Sequence, residues 1–243
     1  MKRVLISVSC AIAVALTAMA QITHHVIKVG DFTRLELLDD ITVHYCCNAD
    51  SAGLIVTDAP RDVVDHLIFS LNTKGRLSIQ VDDTYERQGN LPALFVYSSS
   101  LDEAENAGDS ALYVAGLPPM KAFKVRNIDN GKVIVRGVRA SQLELQILSG
   151  KGKIIADGRC DNLSLRLVGT GEIQADQVEA TSVSCRIMGT GSMGCNVNGG
   201  ELKVSGSGTG KVYYKGKPSK VTVHKLGTIK AIRVYNKILS ITE

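Results

Sequence analysis

The sequence predicts an all-β fold: a right-handed parallel β-helix, a solenoid with coils of about 20 residues, preceded by a β-rich N-terminal region. Three observations carry that prediction. The stretch LSLRLVGTG at residues 163–171 returns as VSCRIMGTG at 183–191 and as LKVSGSGTG at 202–210. A looser copy, LELQILSGKG, occupies 143–152, and a decayed one, VTVHKLGTI, occupies 221–229. With Phe123 placed ahead of them, the copies begin at 123, 143, 163, 183, 202 and 221, so the period is 20 or 19 residues. Glycine is the second observation: only four of the 23 precede residue 108. The third is strict alternation of apolar and polar residues within each copy, the period of a strand with one buried face. One such coil cannot bury its apolar face alone, whereas a stack of coils can. Parallel crossovers are right-handed in nearly all cases, which sets the hand.

Residues 1–20 read as a secretory signal peptide. Met1-Lys2-Arg3 is the basic start, 4–16 the apolar run, and Ala18-Met19-Ala20 the cleavage site, so the mature chain would begin at Gln21. The apolar run is shorter than the roughly 18 residues of a spanning helix, and no later run approaches that length. Cys10 lacks the leucine three residues earlier that a lipoprotein signal needs; Ser7 stands there. The expected location is therefore exported, in the periplasm or on the outer cell surface, with no membrane span after cleavage. Loss of Lys2 and Arg3 lowers the net charge from +4 to +2, too balanced for a nucleic-acid partner. Cys46, Cys47, Cys160, Cys185 and Cys195 remain. An odd count at irregular spacing, with no CxxC, argues against a disulfide framework and against a zinc site.

Residues 21–92 form the N-terminal region. Residues 26–29, 32–38 and 41–45 alternate as half-buried strands, with Asp39-Asp40 between the second and third. Residues 54–57 are a further short strand. Residues 60–66, PRDVVDH, are the best helical candidate, at most two turns, with Asp58 as its expected N-cap. Residues 67–71 and 76–81 read as a hairpin around Thr73-Lys74-Gly75, and 82–90 as a polar loop. Residues 93–243 hold the coils and a C-terminal cap, continuous with what precedes them. Within them, 94–119 reads as a degenerate first coil, and 232–241 as the capping strand.

Each clear copy ends in a glycine pair: Gly150/Gly152, Gly169/Gly171, Gly189/Gly191 and Gly208/Gly210. A strand follows each pair rather than a helix, which removes the phosphate-loop reading. Glycine at these corners is expected to supply positive φ. Leu163, Leu165 and Leu167 point inward, as do Val183, Cys185 and Ile187, while Ser164 and Arg166 point outward. Ile154, Ile173, Met193 and Val212 form a second inner column; Ala156, Ala175, Cys195 and Tyr214 form a third. This places Cys185 and Cys195 in the core.

The order of short motifs resembles a known family. It comprises FTRLEL at 32–37, ITV at 41–43, GRLSI at 75–79, and then the G-S/T-G repeats. Together with the N-terminal signal these resemble the putative auto-transporter adhesin, head GIN domain family, secreted proteins abundant in Bacteroidetes. The resemblance implies a β-rich start that continues into a right-handed β-helix, exported to the periplasm or cell surface. It supplies no catalytic residues. The family's G-S-G-D corner is varied here: Asp109 follows Gly108 without the serine, and Glu172 follows Gly171.

Catalytic candidates are scarce. Glycosidic cleavage needs paired carboxylates. The candidate column is Asp157, Asp176 and Asn196, which follow the second strand in three successive coils and, if stacked, could share a proton or hold Ca²⁺. Turn chemistry explains the same residues. Lys153, Glu172, Ser192 and Lys211 read as a solvated outer column. His24, His25, His44, His66 and His224 share no spacing, and no nucleophile elbow is present. With four Phe, seven Tyr and no Trp, aromatic platforms for sugars are few; Tyr213 or Tyr214 faces outward. The expectation is a non-catalytic adhesin or binding scaffold that uses the solenoid face, with no cofactor. Its partner would be a glycan or a host or cell-surface protein, and homo-oligomerisation is a further option. The alternative is a carbohydrate-active β-helix enzyme, a polysaccharide lyase or hydrolase.

Overall fold

A computed structural model describes residues 22–85 and 91–234. The expected signal peptide, the end of the 82–90 loop and most of the 232–241 cap lie outside the described residues. The described residues are 67% strand and 2% helix, wound into a β-solenoid of about seven turns.

The central coils come from three long strands, β11 (Lys132–Ile147), β12 (Lys153–Gly169) and β13 (Glu172–Gly189). Each passes through two bends and so contributes to three faces. In β12, Ile154 and Ala156 point inward on one arm, Cys160 on a short second arm, and Leu163, Leu165 and Leu167 on the third. Ladders run through β10 (Met120–Asn127), β15 (Glu201–Gly208) and β17 (Lys220–Gly227) on the third arm. On the first arm they run through β14 (Ser192–Asn198), β16 (Lys211–Lys217) and β18 (Lys230–Arg233). The pairing keeps like with like: Leu145, Leu165, Cys185 and Val204 are successive rungs of one column, all at most 1% exposed. The expected column through Ile154 holds in the same way. The one through Ala156 runs in register from Ala175 to Cys195 and Tyr214, with Ala156 itself at a register shift, and Tyr214 packs against the core while Tyr213 faces outward. One apolar cluster runs from Phe32 to Ile229.

The two glycines of each pair serve different needs. The first has positive φ: 75° at Gly150, 114° at Gly169, 135° at Gly189 and 108° at Gly208. The second does not, and is required by space instead. A Cβ on Gly191 would lie 2.8 Å from Leu167 Cδ2, and one on Gly210 would lie 2.3 Å from Ile187 Cδ1. The inward side chain of one rung fills the volume that the next corner leaves vacant. At Gly171 the filler is Ile147, and at the two earlier corners, Gly152 and Gly131, it is asparagine. Asn106 donates to Ser110 O at 2.9 Å and Asn127 donates to Gly131 O at 2.6 Å, both fully buried.

The N-terminal rungs do not stack in chain order. Strand β2 (Arg34–Leu37) pairs with β6 (Arg76–Val81) on one side and with β8 (Glu103–Asn106) on the other. Likewise β3 (Val43–Cys47) lies between β7 (Leu94–Ser98) and β9 (Ala111–Ala115). Residues 94–119 are therefore not one degenerate first coil. β7 belongs to the rung before β2/β3, and β8/β9 to the rung after it. Alternation marks each strand but carries no information about which strand it pairs with.

Antiparallel strands close this end. β4 (Leu54–Ala59) covers β7 and carries β1 (Thr23–Lys28) on its far side, while β5 (Leu67–Leu71) covers β6 as the expected hairpin. The helix is shorter than expected, a single turn over Arg61–Val64 with Pro60 as N-cap and no side-chain cap. Asp58 does not cap it. Asp58 lies within β4, and its Oδ1 meets His24 Nδ1 of β1 at 2.8 Å. At the opposite end, the inward residues Val221 and Val223 of β17 are 40% and 39% exposed.

Candidate functional site

Outward residues of the third arm form columns as regular as the core. One column reads Lys124, Glu144, Ser164, Ser184, Lys203 and Thr222. A second, two residues earlier on each strand, reads Ala122, Gln142, Asn162 and Ser182. Between them the chain turns Leu143, Leu163 and Val183 into the core. These two columns line a groove of about 780 Å³ that crosses β10 to β15. Along the middle rungs its polar lining is amide and hydroxyl, from Gln142, Asn162, Ser164, Ser182 and Ser184, with the apolar Leu143, Leu163 and Val183 between them.

Charge gathers at the ends of the groove, where Glu144 and Glu201 are paired while Asp102 and Lys121 have no ion-pair partner among the described residues. Lys124 Nζ lies 3.4 Å from Glu144 Oε2, and Gln146 donates to the other oxygen of that carboxylate. At the far end Glu201 accepts from Thr222 Oγ1 at 2.7 Å and meets Lys203 at 3.3 Å. The Thr222 hydrogen bond, with Lys203 and Lys220 beside it, holds the Glu201 carboxyl below its ordinary range.

Beside the groove runs a third outward column: Arg126, Gln146, Arg166, Arg186, Ser205 and His224. Arg126 is bound twice from the neighbouring β8, 2.8 Å from Glu103 and 2.9 Å from Glu105. The Glu105 hydrogen bond raises its pKa further. Arg166 and Arg186 differ. The ion pairs of these coils lie elsewhere, at Lys153–Glu172, Arg159–Glu179 and Lys215–Asp176. Neither arginine has an ion-pair partner among the described residues. A shallower hollow of about 570 Å³ adjoins Arg186, next to Ser205, His224 and Lys225.

The carboxylate column expected from the sequence is out of register. Asp157 stands opposite Gln177, not Asp176, because a bulge after Ile155 shifts the pairing by one residue. Asn196 in turn stands opposite Glu179, beyond a second shift after Ala175. Asp157 accepts from Arg136 Nη1 at 2.8 Å and from Gly137 N at 2.6 Å. Asp176 is held by Gln177 at 2.9 Å and by Lys215 at 3.4 Å. Among the described residues no group of three or more His, Cys, Asp or Glu could hold a metal ion. The Lys153, Glu172, Ser192, Lys211 column is in register, with Lys153 Nζ 3.1 Å from Glu172.

The histidines remain apart from one another chemically. His66 tilts against Tyr85, and His224 ends the arginine column. His44 is stacked between Phe95 and Tyr113, with ring centroids 5.1 and 4.5 Å away. That stack was invisible in the sequence, because its three residues become neighbours only through the out-of-order rungs. The groove left a fainter mark: Gln142, Asn162 and Ser182 recur at the period of the repeat.

Several solved structures share the fold. A putative adhesin from Bacteroides fragilis aligns with a TM-score of 0.79 at 18% identity, covering 88% of this chain and 97% of that one. A putative lipid binding protein from Parabacteroides distasonis aligns at 0.70 and 18%, covering 89% and 98%. A putative adhesin from Parabacteroides merdae aligns at 0.64 and 17%, covering 89% and 98%. No curated protein matches the sequence. Residues 31–218 match one family model, and the chain belongs to that family: the putative auto-transporter adhesin, head GIN domain.

Proposed function

We propose that this is an exported, non-catalytic binding protein of the adhesin type, which presents the outer face of its solenoid to a glycan or another cell-surface ligand. One observation carries the reading. The groove across β10–β15 is built for contact and not for proton transfer: the polar lining of its middle is neutral hydroxyl and amide, Glu144 and Glu201 are tied to lysines, and Asp102 stands as a single unpaired carboxylate. Hydrolysis of a glycoside needs two carboxyl groups free to act on opposite sides of the scissile bond. The family's name and the basic–apolar–AMA start of the chain support export. A solenoid suits the role because its stacked rungs give a stiff, extended surface.

The test is a glycan and matrix-protein array probed with the mature chain, run beside a product assay on polysaccharides. The expected result is retention on the array with no new reducing ends or unsaturated termini. Release of such products would replace this reading with the lyase or hydrolase one, and an array without any retained ligand would overturn it.

A further inference from the structure

We infer that the ligand of this face is a linear acidic glycan, lying along the solenoid axis with its hydroxyls in the groove and its carboxylates against Arg166 and Arg186. The inference rests on the binding reading above and adds a chemical class to it.

Charge makes the first part of the case. Within the groove, acids and bases balance: Asp102, Glu144 and Glu201 against Lys121, Lys124 and Lys203. The column beside it does not balance. Arg166 and Arg186 are exposed on adjacent rungs, and Ser205 and His224 continue their line with Lys225 beside them. An unpaired guanidinium is a fixed positive fork suited to a carboxylate or sulfate oxygen pair. Two of them on successive rungs present that fork twice, about 4.8 Å apart along the axis. That step is close to the length one sugar residue adds to an extended chain.

Composition of the floor makes the second part. Gln142, Asn162, Ser164, Ser182 and Ser184 offer both donors and acceptors, so they can match sugar hydroxyls in either sense. A lipid surface would want exposed apolar side chains here; Leu143, Leu163 and Val183 line the groove but are at most 2% exposed, and the exposed Met188 and Leu226 border the second hollow instead. A nucleic acid would want several more cations than this face supplies. The neutral strip with one basic rim fits a polyhydroxylated chain carrying a regular negative charge.

The experiment uses the mature chain and fluorescent octasaccharides in 0.15 M salt. The probes are polygalacturonate, its methyl ester with the same backbone and no charge, and chondroitin sulfate. At least one acidic probe should bind about tenfold or more tighter than the methyl ester, and more weakly as salt rises. The double variant Arg166→Gln/Arg186→Gln should lose about tenfold or more of that affinity with its urea midpoint unchanged. Ser164→Trp should block the groove. Arg159→Gln, an exposed arginine on the second arm paired with Glu179 at 3.2 Å, should bind as the parent does. Equal binding of the methyl ester, equal losses in the double variant and Arg159→Gln, or binding to phosphatidylglycerol vesicles with neither acidic probe retained would each overturn the inference. Preference for neutral glycans or a protein on the array overturns it while leaving the adhesin reading intact, whereas cleavage of a probe sinks that reading instead.

Discussion

Truncating Leu165 tests the assignment of inside and outside most directly. Leu165 is 1% exposed and sits between Leu145 and Cys185, both fully buried, in the middle of the stack. Leu→Ala in a core costs about 2–5 kcal/mol, more where the walls cannot close on the cavity. Here they cannot close easily, because parallel ladders fix the backbone on both sides of the rung. A loss of about 3–4 kcal/mol is therefore expected for Leu165→Ala. Arg166→Ala, one residue on and facing solvent, should change stability by no more than about 0.5 kcal/mol. Leu165→Asp adds an unpaired buried charge worth several kcal/mol, a total comparable with the whole stability of a domain, so that chain should not fold. The assay is urea unfolding of the mature chain followed by far-ultraviolet circular dichroism. The midpoint shift gives the free energy provided that the slope is unchanged between variants. A changed slope would report one end of the stack melting separately, as solenoids can. Equal shifts for Leu165→Ala and Arg166→Ala would refute the face assignment, and with it the groove.

Other perturbations separate further causes. Gly206→Ala should cost at least about 3 kcal/mol, since the new Cβ would lie 1.7 Å from Ile187 O at a φ of 146°; Gly199→Ala, also at positive φ but with open space around it, should cost only about 1–2 kcal/mol, and the same urea assay ranks them. Burial, with Asp161 adding to it, pushes the Cys160 thiol from 9.0 up to about 12. The unfolded chain therefore releases this proton first, so stability is fully present below pH 9 and falls as pH rises towards 12. Cys185, raised by its contact with Cys195 and by burial, and Tyr45, raised mainly by burial, add to the same slope. A urea midpoint that held level or rose between pH 9 and pH 11 would contradict this. In native protein a bulky maleimide should modify the half-buried Cys46 and Cys47 well before Cys160, Cys185 or Cys195, and mass spectrometry of the labelled peptides gives the order.

How much the sequence disclosed depended on whether a feature is local in the chain. The period of 20 or 19 residues is local to each coil, and it placed Leu165 over Leu145 and Cys185 over Leu165 without any structure. The position of β2 was not local. Its two partners, β6 and β8, both come later in the chain, and nothing in FTRLEL distinguishes a strand that waits for two neighbours from one that starts a stack. Register defeated the Asp157–Asp176–Asn196 column for a related reason. A bulge adds or removes one residue between rungs, and a period counted from the leucine copies cannot see it. The glycine pairs show a subtler limit. Their regular spacing within the chain pointed to one backbone role, yet the second glycine of each pair answers to the close approach of the preceding rung, through a corner carbonyl as well as a side chain.

The pleat that makes the core also frees the outward face from it. Leu163, Leu165 and Leu167 are fixed by packing, and a change there costs about 2–5 kcal/mol. Ser164 and Arg166 stand between them on the same strand, where a change costs about 0.5 kcal/mol or less. Each outward column can therefore take any sequence of charges without disturbing the column behind it. In the N-terminal rungs that freedom is used for internal pairing: Arg76 with Glu36, and Arg126 with Glu103 and Glu105. From β12 onward the same column stops pairing and presents Arg166 and Arg186 to solvent. Pairing would stabilise these rungs by at most about 1 kcal/mol each, so its loss leaves the fold intact. What the unpaired arginines change is the surface potential of the one face that also carries a groove of hydroxyls and amides. The scaffold explains the columns; an acidic ligand, as inferred above, would give the unpaired Arg166 and Arg186 the partner that the fold does not supply.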